Sequence, residues 1–428
     1  MPIHDELPGA SLATLPNGVR VVTIPMPHLE SACVSVFVRA GSQHESRRQN
    51  GISHLAEHMA FKGTASRSCQ QINLDAERLG AEANAHTDKD HTAFHMRGMA
   101  QHAGRFVQML ADIVQHGTFP EAELEREREV LLQEYLEEDD DAFSAAYKLF
   151  DRLSYGTHSI AQPVIGTRGN IERLTREDLL AYVRRHYTGA NVIVGVAGNV
   201  EPEAIVREVQ GAFGDLPQGS AHVVAPPAWR GGIAARRMAG VSQTHVVLGF
   251  PAPALTQDAH HASVVAAALF GEGMSSPLMD EIRERRGLVY YAACSCDATD
   301  IAGQFVIEAS MSPGKVQEFA AEVTRLLRAH ADAVDPLHLE RARNQIAVRR
   351  LEVQERPFRR IEEAVQDVFA FARVRTNAET MDRVRAVTAQ EVRDAFARML
   401  DSQASVAMAG RVSQAALASL RGLVASAP

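Results

Sequence analysis

The sequence has 428 residues, of which 46% are hydrophobic and 23% are charged, and its formal net charge is −9. This is the composition of a globular protein large enough for two to four domains of roughly 100–200 residues each. The acidic balance argues against the basic surface on which nucleic-acid binders depend, so we expect no nucleic-acid partner.

The amino terminus, residues 1–7, lacks the basic stretch and the apolar stretch of a signal peptide. No apolar run in the sequence approaches the ~20 residues needed to span a bilayer. We therefore expect a cytoplasmic protein without a membrane partner, or a periplasmic one if a leader has been removed.

The apolar pattern of the first half predicts strands and helices in alternation. Residues 18–39 predict two strands separated by a loop that contains Pro25 and Pro27. Residues 51–61 predict a helix with Ser53 as its N-cap. The remaining predictions are a helix at 70–79, a hairpin at 83–96, helices at 101–115, 121–140 and 176–186, and a strand at 191–197.

The second half repeats these landmarks in the same order at an offset of about 212–215 residues. The sequence Leu-Glu-Arg occurs at 124–126 and again at 339–341. We therefore predict an α+β fold of two homologous domains, each a mostly antiparallel sheet packed with helices. The predicted domains are a first domain at 1–222, a linker at 223–238 whose core is the Pro-, Gly- and Arg-rich segment 226–237, and a homologous second domain at 239–428.

The segment His-Leu-Ala-Glu-His at 54–58 has the pattern H-x-x-E-H. On a helix, residues i, i+3 and i+4 share one face, so His54 and His58 can present two imidazole nitrogens to one metal with Glu57 beside them. Neutral imidazole suits zinc, and a carboxylate can take a proton from an attacking water. The alternative is a surface helix without a metal, because a pattern of three fixed positions also arises by chance.

A catalytic zinc usually has a third protein ligand from another element. Periodicity alone does not select it among the acidic residues of the helix predicted at 121–140. The candidates are Glu127, Glu129, Glu134, Glu137 and Glu138.

The second half has lost every element of this site. The positions equivalent to the motif helix lie near Ser263, Ala266 and Ala267, and those equivalent to Glu127 and Glu134 are Ala342 and Arg349. One domain therefore carries the candidate site, and its homologue does not.

With these motifs, nearly the whole chain resembles the pitrilysin family of inverted-motif zinc peptidases, which includes insulin-degrading enzyme and the mitochondrial processing peptidase. In that family the third zinc ligand follows the second histidine by about 76 positions, which corresponds to Glu134. The resemblance implies one Zn²⁺ per chain held by His54, His58 and Glu134, with Glu57 as general base and Glu127 orienting a ligand.

Asn84-Ala85-His86-Thr87 resembles the family's edge strand, which pairs with the backbone of the substrate. The resemblance implies that Asn84 and Ala85 contact the peptide, and the alternative is an ordinary hairpin.

The second domain also carries segments that resemble the family. Gly271 and Gly273 lie in a segment similar to its glycine-rich loop, which implies a role in substrate binding. Arg283 and Tyr290 match the family's Arg and Tyr pair, which implies that they bind the substrate carbonyl and stabilise the oxyanion.

The family encloses its substrate between two such two-domain units. The resemblance therefore implies a homodimer, or a heterodimer with a paralogous subunit, that cleaves peptides or unfolded segments. Some family members have lost the zinc motif and serve as non-catalytic subunits of larger complexes. That is the alternative function, and the intact set of residues argues against it.

Overall fold

The computed structural model describes residues 9–424 of the chain. These residues form two compact units. Unit 1 consists of residues 9–135, 162–224 and 351–376, and unit 2 consists of residues 136–161, 225–350 and 377–424. Each unit thus contains segments that precede the predicted linker and segments that follow it. The predicted domain limits stay a prediction.

The described residues form eleven strands and fifteen α-helices. The strands are β1 Ser11–Thr14, β2 Arg20–Pro25, β3 Ser31–Val38, β4 Glu82–Thr87, β5 Thr92–Met99, β6 Val192–Gly198, β7 Gly232–Arg237, β8 Thr244–Ala252, β9 Tyr291–Ala298, β10 Gly303–Met311 and β11 Ser405–Gly410. The helices are α1 Ile52–Ala60, α2 Cys69–Arg78, α3 Ala103–His116, α4 Glu121–Asp140, α5 Ala142–Tyr155, α6 Arg168–Arg173, α7 Arg176–His186, α8 Pro202–Phe213, α9 His260–Gly271, α10 Val316–Asp332, α11 Pro336–Glu355, α12 Pro357–Phe371, α13 Asn377–Ala386, α14 Ala389–Leu400 and α15 Gln414–Val424.

Each unit is built on one mixed sheet. The sheet of unit 1 has the strand order β1-β2-β6-β3-β5-β4, and that of unit 2 has the order β7-β11-β8-β10-β9. Neighbouring strands are antiparallel except for two parallel pairs, β2 with β6 and β7 with β11. The predicted α+β fold of two homologous, mostly antiparallel domains is confirmed.

Both faces of the unit 1 sheet are buried, because successive residues of a strand point to opposite faces. Val34 and Val36 of β3 belong to the core that α1 and α3 complete. Phe37 of β3 belongs to a second core on the opposite face, where Ile361 and Val365 of α12 pack. This two-sided burial explains why these strands read as nearly continuous apolar runs.

The sheet of unit 2 is covered in the same way. Leu248 of β8 and Ile307 of β10 face a core shared with α9, α10 and α14. Val247 and Val306 face the other way and pack with Phe150 of α5. Since α5 precedes the predicted linker and α12 follows it, each sheet has one face covered by a helix from the other half of the chain.

One local prediction is wrong. The N-cap of α1 is Gly51 and not Ser53, which lies within the first helical turn and bonds to the Tyr182 hydroxyl instead, at 2.7 Å between oxygens. The predicted linker stays a prediction, and within it Gly232–Arg237 forms β7, which pairs in parallel with β11.

The internal repeat is visible in the way corresponding helices begin. Thr175 caps α7 by exchanging hydrogen bonds with Asp178. Thr388 caps α14 in the same way with Glu391. Both helices therefore begin with a capping box, which satisfies backbone N–H groups at the first turn.

Among the described residues, no helix combines the length and the apolarity that crossing a membrane requires.

We predict that Gly195→Ala destabilises unit 1 because Gly195 of β6 lies directly under α12. A Cβ atom at this position would lie 2.3 Å from Ile361 Cγ2. Overpacking of this kind costs about 1–3 kcal/mol, which should appear as a lower urea midpoint. The matched control is Gly211→Ala on α8, where no heavy atom lies within 4 Å. Adding Ile361→Ala should lower the free energy of unfolding less in the Gly195→Ala variant than in the wild type. Equal decreases in the two backgrounds would contradict the contact.

Candidate metal centre

The helix that carries the motif is anchored at its first turn by the buried carboxylate of Glu45. Its Oε2 accepts hydrogen bonds from the Gly51 backbone N–H at 2.8 Å and from Asn50 Nδ2 at 2.9 Å, and its Oε1 accepts from the Ser53 N–H at 2.8 Å. An acidic group at a helix N-terminus satisfies free N–H groups and complements the helix dipole. Glu45 therefore fixes where α1 begins.

Gly51 is needed at this junction for two reasons. Its φ of 102° lies in the left-handed region, which favours glycine. A Cβ atom there would also lie 2.9 Å from the Ile165 carbonyl oxygen. The chain can turn into α1 only with a small residue at this position.

The structure brings His54, His58 and Glu134 together, although α1 and α4 are far apart in sequence. One side-chain donor atom of each residue lies within 4.8 Å of the others. Glu134 Oε2 is 3.8 Å from His54 Nε2 and 3.6 Å from His58 Nε2. These separations are too long for hydrogen bonds, and they resemble the spacing of ligands around a shared cation.

The imidazole of His58 is oriented by Glu127, one helical heptad before Glu134. The Nδ1 of His58 lies 3.0 Å from Glu127 Oε2, and Lys62 Nζ lies 2.6 Å from Glu127 Oε1. Burial alone would raise the pKa of Glu127, but the hydrogen bonds from Lys62 and His58 hold that pKa below its usual value. Glu127 therefore remains ionised and accepts a hydrogen bond from the Nδ1–H of His58, and Nε2 of His58 faces Glu134.

His54 presents a neutral ring. Burial, aided by the nearby His58, lowers the pKa of His54 to about 4. Its Nε2 is the nitrogen that faces Glu134 Oε2, at 3.8 Å. Neutral imidazole is the form that binds metals, so the donor set fits a divalent cation of the zinc type.

Glu57 lies on the same helix and is held by the end of β4. Thr87 Oγ1 donates to Glu57 Oε2 at 2.6 Å. Burial raises the pKa of Glu57, and the negative charge of Glu134 adds to this effect. A raised pKa makes a carboxylate a better proton acceptor, and the hydrogen bond from Thr87 fixes the direction in which it points.

The predicted substrate residues Asn84 and Ala85 lie on β4. Within the described residues, β4 pairs with β5 alone and forms the edge of the unit 1 sheet. Asn84 is exposed, and its Oδ1 accepts a hydrogen bond from the Ala85 N–H at 2.8 Å. An edge strand offers the unpaired backbone groups that bind an extended peptide, so the position fits the predicted role without testing it.

Gly271 and Gly273 lie in unit 2, at the end of α9. A Cβ atom at Gly271 would lie 2.3 Å from the Cβ of Cys294 on β9, so packing of the helix against the strand explains this glycine. Gly273 has a φ of 82°, in the left-handed region. Arg341 of α11 donates to the Leu269 carbonyl at 2.6 Å and to the Glu272 carbonyl, which fixes the turn. The substrate role predicted for the two glycines stays a prediction.

Arg283 and Tyr290 also lie in unit 2. Arg283 is on the π-helical segment Met279–Arg285, with its guanidinium near the Met274 sulfur and the Glu284 carboxylate. Tyr290 is 79% exposed, just before β9. Both side chains are accessible to a ligand, and their predicted action on the substrate stays a prediction.

Sequence reasoning missed three residues that support the site: Glu45, Lys62 and Thr87. Lys62 follows His58 by four positions, so the helical period could have placed it on the same face. Thr87 lay within the segment singled out as the edge strand. Glu45 gives no local signal, because it reaches the helix start from a loop.

Most of the chain is similar to known proteins. Residues 20–168 match the family model described as "Insulinase (Peptidase family M16)", and residues 173–346 match the one described as "Peptidase M16 inactive domain". A protein of Rickettsia bellii named "Uncharacterized zinc protease" is 30% identical over 401 residues, which cover 94% of this chain and 97% of that protein.

Two solved structures share the fold. A protease from Helicobacter pylori has a TM-score of 0.87 at 20% identity, covering 95% of this chain and 100% of that one. A chain of complex III₂ from Candida albicans has a TM-score of 0.84 at 17% identity, covering 94% and 96% respectively. At these identities the similarity is one of fold.

We predict that Glu127→Ala weakens zinc binding by about 10–100-fold, the usual effect of removing the group that orients a ligand histidine. The affinity is measured by competition with a chromogenic chelator. The matched control is Glu129→Ala on the same helix, whose side chain is exposed and should leave the affinity unchanged. Equal affinities for the two variants would show that Glu127 does not orient His58.

Proposed function

The chain belongs to the insulinase family, peptidase family M16, and on this premise we propose that it is a zinc-dependent endopeptidase that cleaves peptides or unfolded segments. The observation that carries the proposal is the convergence of His54, His58 and Glu134, with Glu57 held beside them. The name of the Rickettsia bellii relative supports zinc as the metal.

In the proposed site, one Zn²⁺ is held by His54, His58 and Glu134. When bound, zinc supplies Lewis acidity, which polarises a peptide carbonyl and lowers the pKa of water. The chain contributes two imidazoles and one carboxylate, which is the kind of set that catalytic zinc sites use.

Glu57 moves the proton in this proposal. Its carboxylate accepts a proton from the attacking water and passes it to the leaving amine. The raised pKa of Glu57 suits both transfers, since a carboxylate of ordinary acidity holds the proton less well between them. Thr87 donates to Oε2 and thereby leaves Oε1 as the oxygen free to accept the proton.

The substrate is proposed to bind as an extended peptide along β4. The backbone of an added strand would pair with the free edge, next to Asn84 and Ala85, and this strand ends at Thr87, which bonds to Glu57. Edge pairing requires an extended segment, so peptides and unfolded segments are favoured over folded proteins. Arg283 and Tyr290 are proposed as donors to the substrate carbonyl, with Gly271 and Gly273 near the peptide.

The proposed assembly is a homodimer or a heterodimer with a paralogous subunit. The alternative function is a non-catalytic or heterodimer-dependent subunit of a processing complex. The similarity to a chain of complex III₂ favours keeping this alternative, because that fold also occurs within a larger assembly. The convergence of His54, His58 and Glu134 from α1 and α4 favours the peptidase.

We predict that Glu57→Gln retains one zinc per chain and loses about 10²–10⁴-fold in peptidase activity, since general-base catalysis contributes on that scale. Gln keeps the size of Glu57 and can still accept from Thr87, but it cannot take a proton. Zinc is measured by elemental analysis, and activity is measured on a library of unstructured peptides. Activity equal to that of the wild type would end the assignment of Glu57 as base.

The matched control is Glu77→Gln on α2, which changes an exposed carboxylate and should leave activity unchanged.

We further predict that the purified chain alone cleaves the peptide library, and that a chelator abolishes cleavage until zinc is restored. Light scattering coupled to size exclusion gives the mass of the active species. A chain that binds zinc but cleaves only after a paralogue is added would favour the heterodimer. Zinc well below one per chain together with no cleavage would favour the non-catalytic subunit.

A further inference from the structure

Unit 1 contains a second cluster of histidines and carboxylates that the proposed peptidase site does not use. It lines a cavity of about 410 Å³ between the β4–β5 hairpin and α12. Its polar walls include His86, Asp88 and His91 from the hairpin and Glu362 from α12. The cavity therefore places imidazole and carboxylate groups from two elements around one space.

This cavity and the proposed zinc site lie on opposite faces of the sheet. Thr87 points to the α1 face, where it bonds to Glu57. The neighbouring His86 points to the α12 face, where its ring packs edge-on against Phe358 at 6.1 Å between centroids. Successive residues of a strand alternate in this way, so the two clusters are separate although they adjoin in sequence.

The two imidazoles have the spacing of metal ligands. His86 Nε2 and His91 Nε2 lie 3.3 Å apart. Two nitrogens bound to zinc at about 2.0–2.1 Å with tetrahedral angles are roughly 3.3–3.4 Å apart. At this distance one nitrogen can also donate a proton to the other, and a cation bound between them would displace that proton.

His91 is oriented in the way metal-binding histidines are. Its Nδ1 lies 2.7 Å from Asp90 Oδ1. An ionised Asp90 accepts the Nδ1 proton, and the interaction with His91 lowers the pKa of Asp90 even though burial opposes this. Pairing of Nδ1–H with a carboxylate fixes the ring and directs Nε2 to the ligand. His58 and Glu127 form the same arrangement in the proposed peptidase site.

Glu362 supplies a carboxylate from the opposite wall. Its Oε1 lies 4.0 Å from His86 Nε2. Among the described residues, only His54, His58 and Glu134 already have ligand atoms that all lie within 4.8 Å of one another, so the Glu362 side chain would have to turn toward His91 when a cation binds. Arg359, one turn earlier on α12, bonds to Glu362 Oε2 at 2.9 Å and leaves Oε1 toward the histidines. Asp88 lines the same cavity and adds a second carboxylate.

We propose that this cavity is a second metal site, which binds a divalent transition-metal cation such as Zn²⁺ through His86 Nε2, His91 Nε2 and Glu362 Oε1. The cation would tie the β4–β5 hairpin to α12. Because β4 is the proposed substrate strand, the second cation would hold that strand in place without entering the chemistry. The site stands independently of the proposed peptidase function.

The test counts metal equivalents, using Zn²⁺ in calorimetry and Co²⁺ in absorption spectroscopy. The wild-type chain, first stripped with a chelator, should bind two equivalents. His54→Ala/His58→Ala removes the proposed peptidase site and should still bind one. Adding His86→Gln to that double variant should weaken the remaining site by about tenfold or more, since a ligand is lost, and should remove the cobalt absorption band.

The matched control in the same background is His28→Asn, which removes an exposed histidine outside the cavity and should change nothing. Glu362→Gln is the second test variant. It keeps the packing of α12 and should also weaken the site, which guards against a folding defect in His86→Gln. Circular dichroism checks that each variant is folded.

A wild-type chain that binds a single equivalent, lost in His54→Ala/His58→Ala, would overturn the second site and leave the proposed peptidase site standing. Equal affinity of His86→Gln, Glu362→Gln and the background variant would also overturn it. One equivalent retained in the background variant and weakened by both substitutions would support it, whatever the peptidase assay shows.

Discussion

The contact between His58 Nδ1 and the Glu127 carboxylate is the interaction on which the candidate site depends. It orients the imidazole ring so that Nε2 faces Glu134. Lys62 keeps Glu127 ionised by bonding to its other oxygen. The contacts from Lys62 to Glu127 and from Glu127 to His58 thus fix the orientation of the His58 ring, which the motif alone does not determine. It also ties α1 to α4, the two helices that must meet for the donor set to exist.

Contacts from other parts of unit 1 fix the position of α1. The Glu45 carboxylate and Gly51 fix the point at which the helix begins. Thr87, the last residue of the edge strand β4, donates a hydrogen bond to Glu57. The proposed base and the proposed substrate strand therefore share a hydrogen bond, and a displacement of β4 would displace the carboxylate with it. Rigid support of this kind is what a catalytic constellation requires.

The two units share an architecture but differ in chemistry. In both, a mixed sheet is covered on one face by a helix from the other half of the chain, α12 in unit 1 and α5 in unit 2. Helices α4 and α11 correspond, yet Ala342 and Arg349 stand where unit 1 has Glu127 and Glu134. The homologous scaffold is retained, and the donor set is confined to unit 1. The similarity of the fold to both a protease and a subunit of complex III₂ fits this pattern, because function follows the site and not the scaffold.

The sequence by itself determined the α+β class, the internal repeat and the membership of His54, Glu57 and His58 in one helix face. These follow from local periods of 2 and 3.6 residues, which a single chain displays directly. The resemblance to a known family, carried by the spacing in sequence from His58, then selected Glu134. The tertiary structure decided the rest. In the structure the N-cap of α1 is Gly51 and not Ser53, and residues 232–237 form β7. Glu45, Lys62 and Thr87 support the site through hydrogen bonds and an ion pair. These residues lie outside the motif helix. Which side chains contact that helix depends on tertiary packing, which local sequence periodicity does not show.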